Sequence, residues 1–186
     1  MIQSKQDVLL DSLRKFYENP SNLRVLTDVL RHDAKHISLR ILDWLVTNYA
    51  KKHNIVYLIQ TDNDQQPFNM FLEYKSQLKA YSKRFFDPFC RRERLEFVDA
   101  DGKTFHSTVG QLNFFRWAQL HGVVEYGTKH GADIEDDMLQ SIRHRNVSSS
   151  SGGGGSGGSK PKRRELSKAA IKGCTKTHVK VTVRFA

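Results

Sequence analysis

Residues 71–97, FLEYKSQLKAYSKRFFDPFCRRERLEF, change their hydrophobic period partway along. Phe71, Tyr74, Leu78, Tyr81 and Phe85 recur at intervals of three and four, the spacing of one helix face. Lys75, Lys79 and Lys83 recur at intervals of four on an adjacent face. Pro88 then disfavours helical backbone at Asp87. Beyond it Leu95 and Phe97 alternate with charged neighbours, DADG (99–102) makes a turn, and Thr104 to His106 return as a second strand. A helix that feeds a hairpin predicts the α+β class. The stretch holds seven Lys or Arg and seven Phe or Tyr; the rings are assigned mostly to the core and the lysines to the outside.

Upstream, QDVLLDSLRKFYEN (6–19) predicts a helix facing inward with Val8, Leu9, Ser12, Leu13 and Phe16, closed by Pro20. SNLRVLTDVLRH (21–32) predicts a second helix with Ser21 as N-cap. ISLRILDWLVTNYAKKH (37–53) predicts a third, with Ile37, Ile41, Trp44, Leu45 and Tyr49 inward, Leu42 and Val46 nearby, and basic residues at its end. IVYLI (55–59) reads as a buried strand and TDNDQQP (61–67) as a loop. Downstream, Thr108 and Gln111 have capping-box spacing at the head of a helix over 107–122, with Val109, Leu112, Phe114 or Phe115, and Trp117 inward. VVEYG (123–127) is ambiguous, and DIEDDMLQSIRHR (133–145) predicts a last helix with acids first and bases last. The expected core is Ile41, Trp44, Leu45, Tyr74, Leu78, Phe97, Leu112 and Trp117, so the body is expected to fold without the tail.

The formal charge of +10 is concentrated at one end. Residues 1–146 carry 21 Lys and Arg against 19 Asp and Glu, whereas residues 160–186 carry 9 against 1. Between them lies SSSSGGGGSGGS (148–159), a flexible tether by composition. An engineered linker has a similar composition, and the polyserine start speaks for a natural one. The chain is therefore divided into an α+β body (1–146), a linker (147–159) and a basic arm (160–186). In the arm, CTKTHVKVTVRF (174–185) alternates β-branched with basic residues. Such a strand is not stable alone and must pair with the body's own sheet or a partner's edge.

The segments ISLRILDWLVTNYAKKHNIVY, FLEYKSQLKAYSKRFFDPFCRRERLEF and STVGQLNFFRWAQLHGVVEY resemble proteins of large nucleocytoplasmic DNA viruses, of the mimivirus and chlorella-virus kind. The resemblance spans roughly residues 37–138. It implies a viral protein made and assembled in the host cytoplasm, the nucleus being the alternative, and it carries over no catalytic residue.

Enzyme chemistry finds little footing. Ser76 and Lys79 match a four-residue acyl-transfer pattern without its partner motifs. His32 and His36, four apart beside Asp33, lack a third metal ligand. Glu73, Asp87 and Glu93 read as structural ion-pair acids. No Gly-rich phosphate loop is present, and Cys90 and Cys174 fit neither a disulfide framework nor a zinc spacing. No cofactor and no metal are expected. No run approaches a membrane span of roughly 20 apolar residues, and the N-terminus has no apolar signal core. Membrane insertion is therefore not expected.

Binding residues are easier to nominate. Lys75, Lys79, Lys83, Arg84, Arg91, Arg92 and Arg94 form one basic patch if helix and hairpin pack side by side. In the arm, Lys160, Lys162, Arg163 and Arg164 form a cluster, and Val179, Lys180, Val181, Val183 and Arg184 belong to the terminal strand. The first functional expectation is a non-enzymatic virion structural or assembly protein, whose body docks on one viral structural protein and whose arm staples another. The second is a nucleic-acid-binding protein of viral transcription or genome packaging, with the arm on phosphates.

Overall fold

The computed structural model describes residues 5–31, 37–60, 64–99, 101–150 and 182–184. They form a helical body carrying two antiparallel hairpins, one of which takes a third strand, in agreement with the expected α+β class. The predicted His32 and His36 pair lies outside the described residues.

The organising element is α6 (Val109–Leu120). Val109 through Phe115, Trp117 and Ala118 are all buried, and α1 (Lys5–Tyr17), α2 (Pro20–Leu30), α5 (Met70–Phe85) and α7 (Val123–Lys129) pack around it. A helix with so much of its surface buried needs its polar side chains matched. Thr108 caps α6 by accepting from Gln111 N–H at 3.1 Å. The reciprocal half of the predicted capping box does not form. Gln111 instead accepts from the Ser107 hydroxyl at 2.9 Å and donates to the Pro88 carbonyl at 2.8 Å.

Three assignments are corrected. Pro20 opens α2 at its first turn, where its missing N–H has no acceptor to lose, and Asn19 rather than Ser21 is the cap, accepting from Ser21 N–H at 3.0 Å. In α1 the buried residues are Leu13 and Tyr17, while Val8 and Ser12 face outward. The Tyr17 hydroxyl reaches the Leu112 carbonyl on α6 at 2.8 Å, and that bond rotates the face. The third predicted helix begins as α3 (Leu39–Trp44), passes through a π-helical turn at Leu45–Tyr49 and closes as α4 (Ala50–Lys52). At that turn the Thr47 hydroxyl donates to the Asp43 carbonyl at 2.6 Å, and Ala50 N–H reaches back to Leu45. Leu42, Leu45, Val46 and Ala50 are buried in the core, while Ile41, Trp44 and Tyr49 are half-buried.

The run read as a buried strand is β1 (Val56–Gln60), and half the adjoining loop is its partner β2 (Gln65–Asn69), with Leu58 opposite Pro67. Tyr57 and Ile59 pack inward, whereas Leu58 is 63% exposed and Val56 is exposed too. The strand is thus open on one face. The second hairpin is as expected: β3 (Leu95–Val98) pairs antiparallel with β4 (Thr104–Ser107), with Leu95 and Phe97 buried. Its turn is built on Asp99, whose carboxylate accepts from Asp101 N–H at 3.0 Å and Lys103 N–H at 2.8 Å, with the Arg31 guanidinium against it. The other edge of β3 takes β5 (Thr182–Arg184) in parallel, Phe97 opposite Val183. The terminal strand therefore pairs with its own body's sheet. The ambiguous VVEYG becomes α7, and α8 (Gly131–Ser150) continues beyond Asn146 into the polyserine.

Two consequences are measurable. Inside α5, Ser82 sits at φ 57°, ψ 169°, a backbone region natural only to glycine. Ser82→Gly should therefore raise stability by about 1 kcal/mol, the relief of strain exceeding glycine's entropic penalty, read as a higher denaturant midpoint. Burial raises the pKa of Tyr17 and Tyr57 well above the ordinary tyrosine value and that of Tyr74 to about 12. Because the unfolded chain releases these protons first, stability is intact below pH 10 and lost above it. Absorbance titration should show these tyrosines ionising together with unfolding rather than near their ordinary value.

Candidate basic surface

The predicted basic patch grows out of α5 and the loop after it. Asn69 caps α5 by accepting from Leu72 N–H at 3.1 Å. Tyr74 is buried, Phe71, Leu78 and Tyr81 are half-buried, and Lys75 and Lys79 stand exposed one turn apart. The break at Ser82 ends that ridge. Lys83 lies beyond it and does not continue the row, which corrects the expectation of three lysines in register. Ser76 lies exposed on the same helix as Lys79.

Past the break the chain is fixed to α6. Phe86 is 1% exposed and packs against Tyr74, Phe114 and Trp117, with ring centres 5.3–5.9 Å away. Asn113 donates to the Phe85 carbonyl at 2.9 Å, Gln111 takes the Pro88 carbonyl, and Asp87 N–H donates to the Gly110 carbonyl at 3.2 Å. A Cβ on Gly110 would stand 2.9 Å from the Arg84 carbonyl, closer than side chains sit, so this approach requires glycine.

The bases separate into those with acids and those without. Arg91 donates to both oxygens of the buried Asp87 carboxylate at 2.9 Å while stacking over Phe89 at 4.7 Å. Asp87 also accepts from Phe89 N–H at 3.1 Å. Arg91 is thereby a structural clamp and leaves the patch. Burial raises the Asp43 carboxyl on α3, opposed by the nearby Arg91 and Lys83 and reinforced by Asp87. Burial likewise pushes up the Cys90 thiol, against the pull of Arg94 beside it. Arg84, stacked over Phe85 at 5.3 Å, and Arg92 come together around a cleft of about 260 Å³, completed by Gln6, Phe85, Glu93, Leu95, Thr108, Val109 and Gly110. Neither arginine makes an ion pair among the described residues.

The structure thus joins Arg84 with Arg92, sets Lys75 and Lys79 on an open helix face, and withdraws Arg91. Sequence reasoning missed the residues that build the cleft's floor, Gly110 with the Gln111 and Asn113 that hold the loop over it. The available sign was a run of amides and a glycine inside an otherwise apolar helix. Of the arm, Lys160, Lys162, Arg163, Arg164, Val179, Lys180 and Val181 lie outside the described residues, while Val183 and Arg184 stand in β5 opposite Phe97 and Val98. Among the described residues no group of three or more His, Cys, Asp or Glu is placed to hold a metal ion, and no helix is long and apolar enough to cross a membrane.

Removing the Arg91 clamp strands a buried carboxylate, whereas Arg92 has none to lose. Arg91→Gln should cost about 1 kcal/mol after allowance for its exposure, and Arg92→Gln should stay within about 0.5 kcal/mol. Parallel chemical denaturation of the two variants checks the difference.

No solved structure matches this chain. An uncharacterised protein of Acanthamoeba polyphaga mimivirus, L507, is 36% identical over 146 residues, covering 75% of this chain. The chain spans 56% of that relative's length. The model of the family of unknown function DUF7197 matches residues 2–152, ending where the glycine-rich segment begins. With four-fifths of its length inside that match and a mimivirus relative above, the chain belongs to this family of giant-virus proteins.

Proposed function

We propose that this protein is a non-enzymatic virion structural or assembly protein, of the minor-capsid or scaffolding kind, made and assembled in the host cytoplasm. Its body docks on one viral structural protein, and its C-terminal strand staples a second. The observation that supports this reading best is the parallel pairing of β5 with the outer edge of β3. Strand addition to an exposed edge takes its affinity from main-chain hydrogen bonds and is indifferent to which molecule supplies the strand. The 31 residues between Ser150 and Thr182 span at most on the order of 100 Å. The β3 edge of the same chain and that of a neighbouring copy are both within that reach. Exchange of the strand between copies would make a staple without new contacts.

Fractionation of disrupted virus particles tests the reading. The protein should be recovered with the capsid shell. Val183→Pro, which removes a main-chain donor from the strand and is poorly tolerated inside a sheet, should reduce its incorporation while leaving the body folded. Recovery only with the genome, or absence from particles, would overturn the proposal. So would normal incorporation of Val183→Pro.

A further inference from the structure

The cleft between Arg84 and Arg92 has a different chemistry from the strand edge. Its two guanidinium groups have no carboxylate partner among the described residues, although Glu93 lines the same cleft. The Asp87 carboxylate is already filled by Arg91. The fold thus satisfies one arginine of the loop and leaves others outward. An unpaired guanidinium presents a planar fork of donors suited to a phosphate or carboxylate. Phe85 on the cleft wall adds a half-buried ring, with the Arg84 guanidinium over it at 5.3 Å. On the exposed face of α5, Lys75 and Lys79 stand one turn apart, roughly 6 Å along the axis, before the break at Ser82 that precedes Arg84. That interval is close to the spacing of successive phosphates in an extended strand.

We infer that this surface binds the backbone of single-stranded nucleic acid, one phosphate entering between Arg84 and Arg92 and a base lying toward Phe85. Separated cations beside an aromatic ring are the elements by which sequence-tolerant single-strand binders work. An acidic peptide would use the cations alone, with no base to lie against the Arg84–Phe85 stack. A rigid duplex would touch only the rim of a concavity of about 260 Å³. Glu93 on the same rim opposes an anion and limits the affinity. The inference concerns the body and is independent of where the terminal strand pairs.

The test uses the full chain and a fluorescent oligo-dT of about 16 nucleotides, titrated at several salt concentrations. Arg84→Gln with Arg92→Gln should weaken binding at least tenfold near physiological salt and flatten the salt slope by about 0.7, the share of the one phosphate that the two arginines hold. Arg24→Gln with Arg143→Gln removes the same charge from exposed positions elsewhere and should change affinity less than threefold. Glu93→Gln should strengthen it two- to threefold. Ultraviolet crosslinking should attach nucleotide to the peptide that contains Phe85. Equal losses from the two double variants would reduce the binding to diffuse charge and overturn the inference. Competition by poly-glutamate as effective as that by unlabelled oligo-dT at equal charge would overturn it in favour of an acidic protein partner, and absence of binding at low salt would overturn it outright.

Discussion

The attachment of residues 85–88 to the first turns of α6 is the constraint on which the rest of the structure depends. Main-chain groups of Phe85, Asp87 and Pro88 are taken by Asn113, the Gly110 carbonyl and Gln111. Buried amides are costly unless both ends of each bond are filled, so helix and loop specify one another. α6 tolerates its polar residues only because the loop is there, and the loop lies flat only because position 110 has no side chain. Phe86 is then delivered into the ring cluster, the chain turns at Pro88 into β3, and Arg84 and Arg92 are brought to one cleft. The strained backbone at Ser82 is a cost of reaching that arrangement from a regular helix.

The parts of the fold visible in the sequence were those with a local cause. The period of α5, the cap at Thr108 and the β3–β4 hairpin each follow from residues within a few positions of one another. What stayed hidden was set by distant partners. Tyr17 turns the face of α1 because its hydroxyl finds Leu112, 95 residues away. Gln65, Gln66 and Pro67 are poor strand formers, and in β2 pairing with β1 overrides their preference. The π-turn in the third helix is one inserted residue and left no mark on the apolar pattern.

The candidate site divides in the same way. Exposure of Lys75, Lys79, Arg84 and Arg92 was legible, since bases on the polar face of a helix or at a loop tip remain in water. The loss of Arg91 to Asp87 was not, because any of several neighbouring acids and bases could have paired. Only the backbone of the 87–91 turn, closed by Asp87 on Phe89 N–H, selects this pair. Charge counted along a sequence therefore overstates what a surface has free to offer.

The parallel pairing of β5 with β3 also fixes an order of events along the folding pathway. Phe97 and Val183 are 86 residues apart in the chain, so bringing them together costs loop-closure entropy on the order of 4 kcal/mol. The β3–β4 hairpin closes over only a few residues, and α5, the loop and α6 are near neighbours. Long-range pairings of this kind form after local ones. Three residue pairs repay little of that cost, so β5 is the last element to join the native state and the first to leave it. In amide hydrogen exchange it would belong to the least protected class, while α6 and the chain beneath Phe86 would exchange only through global opening.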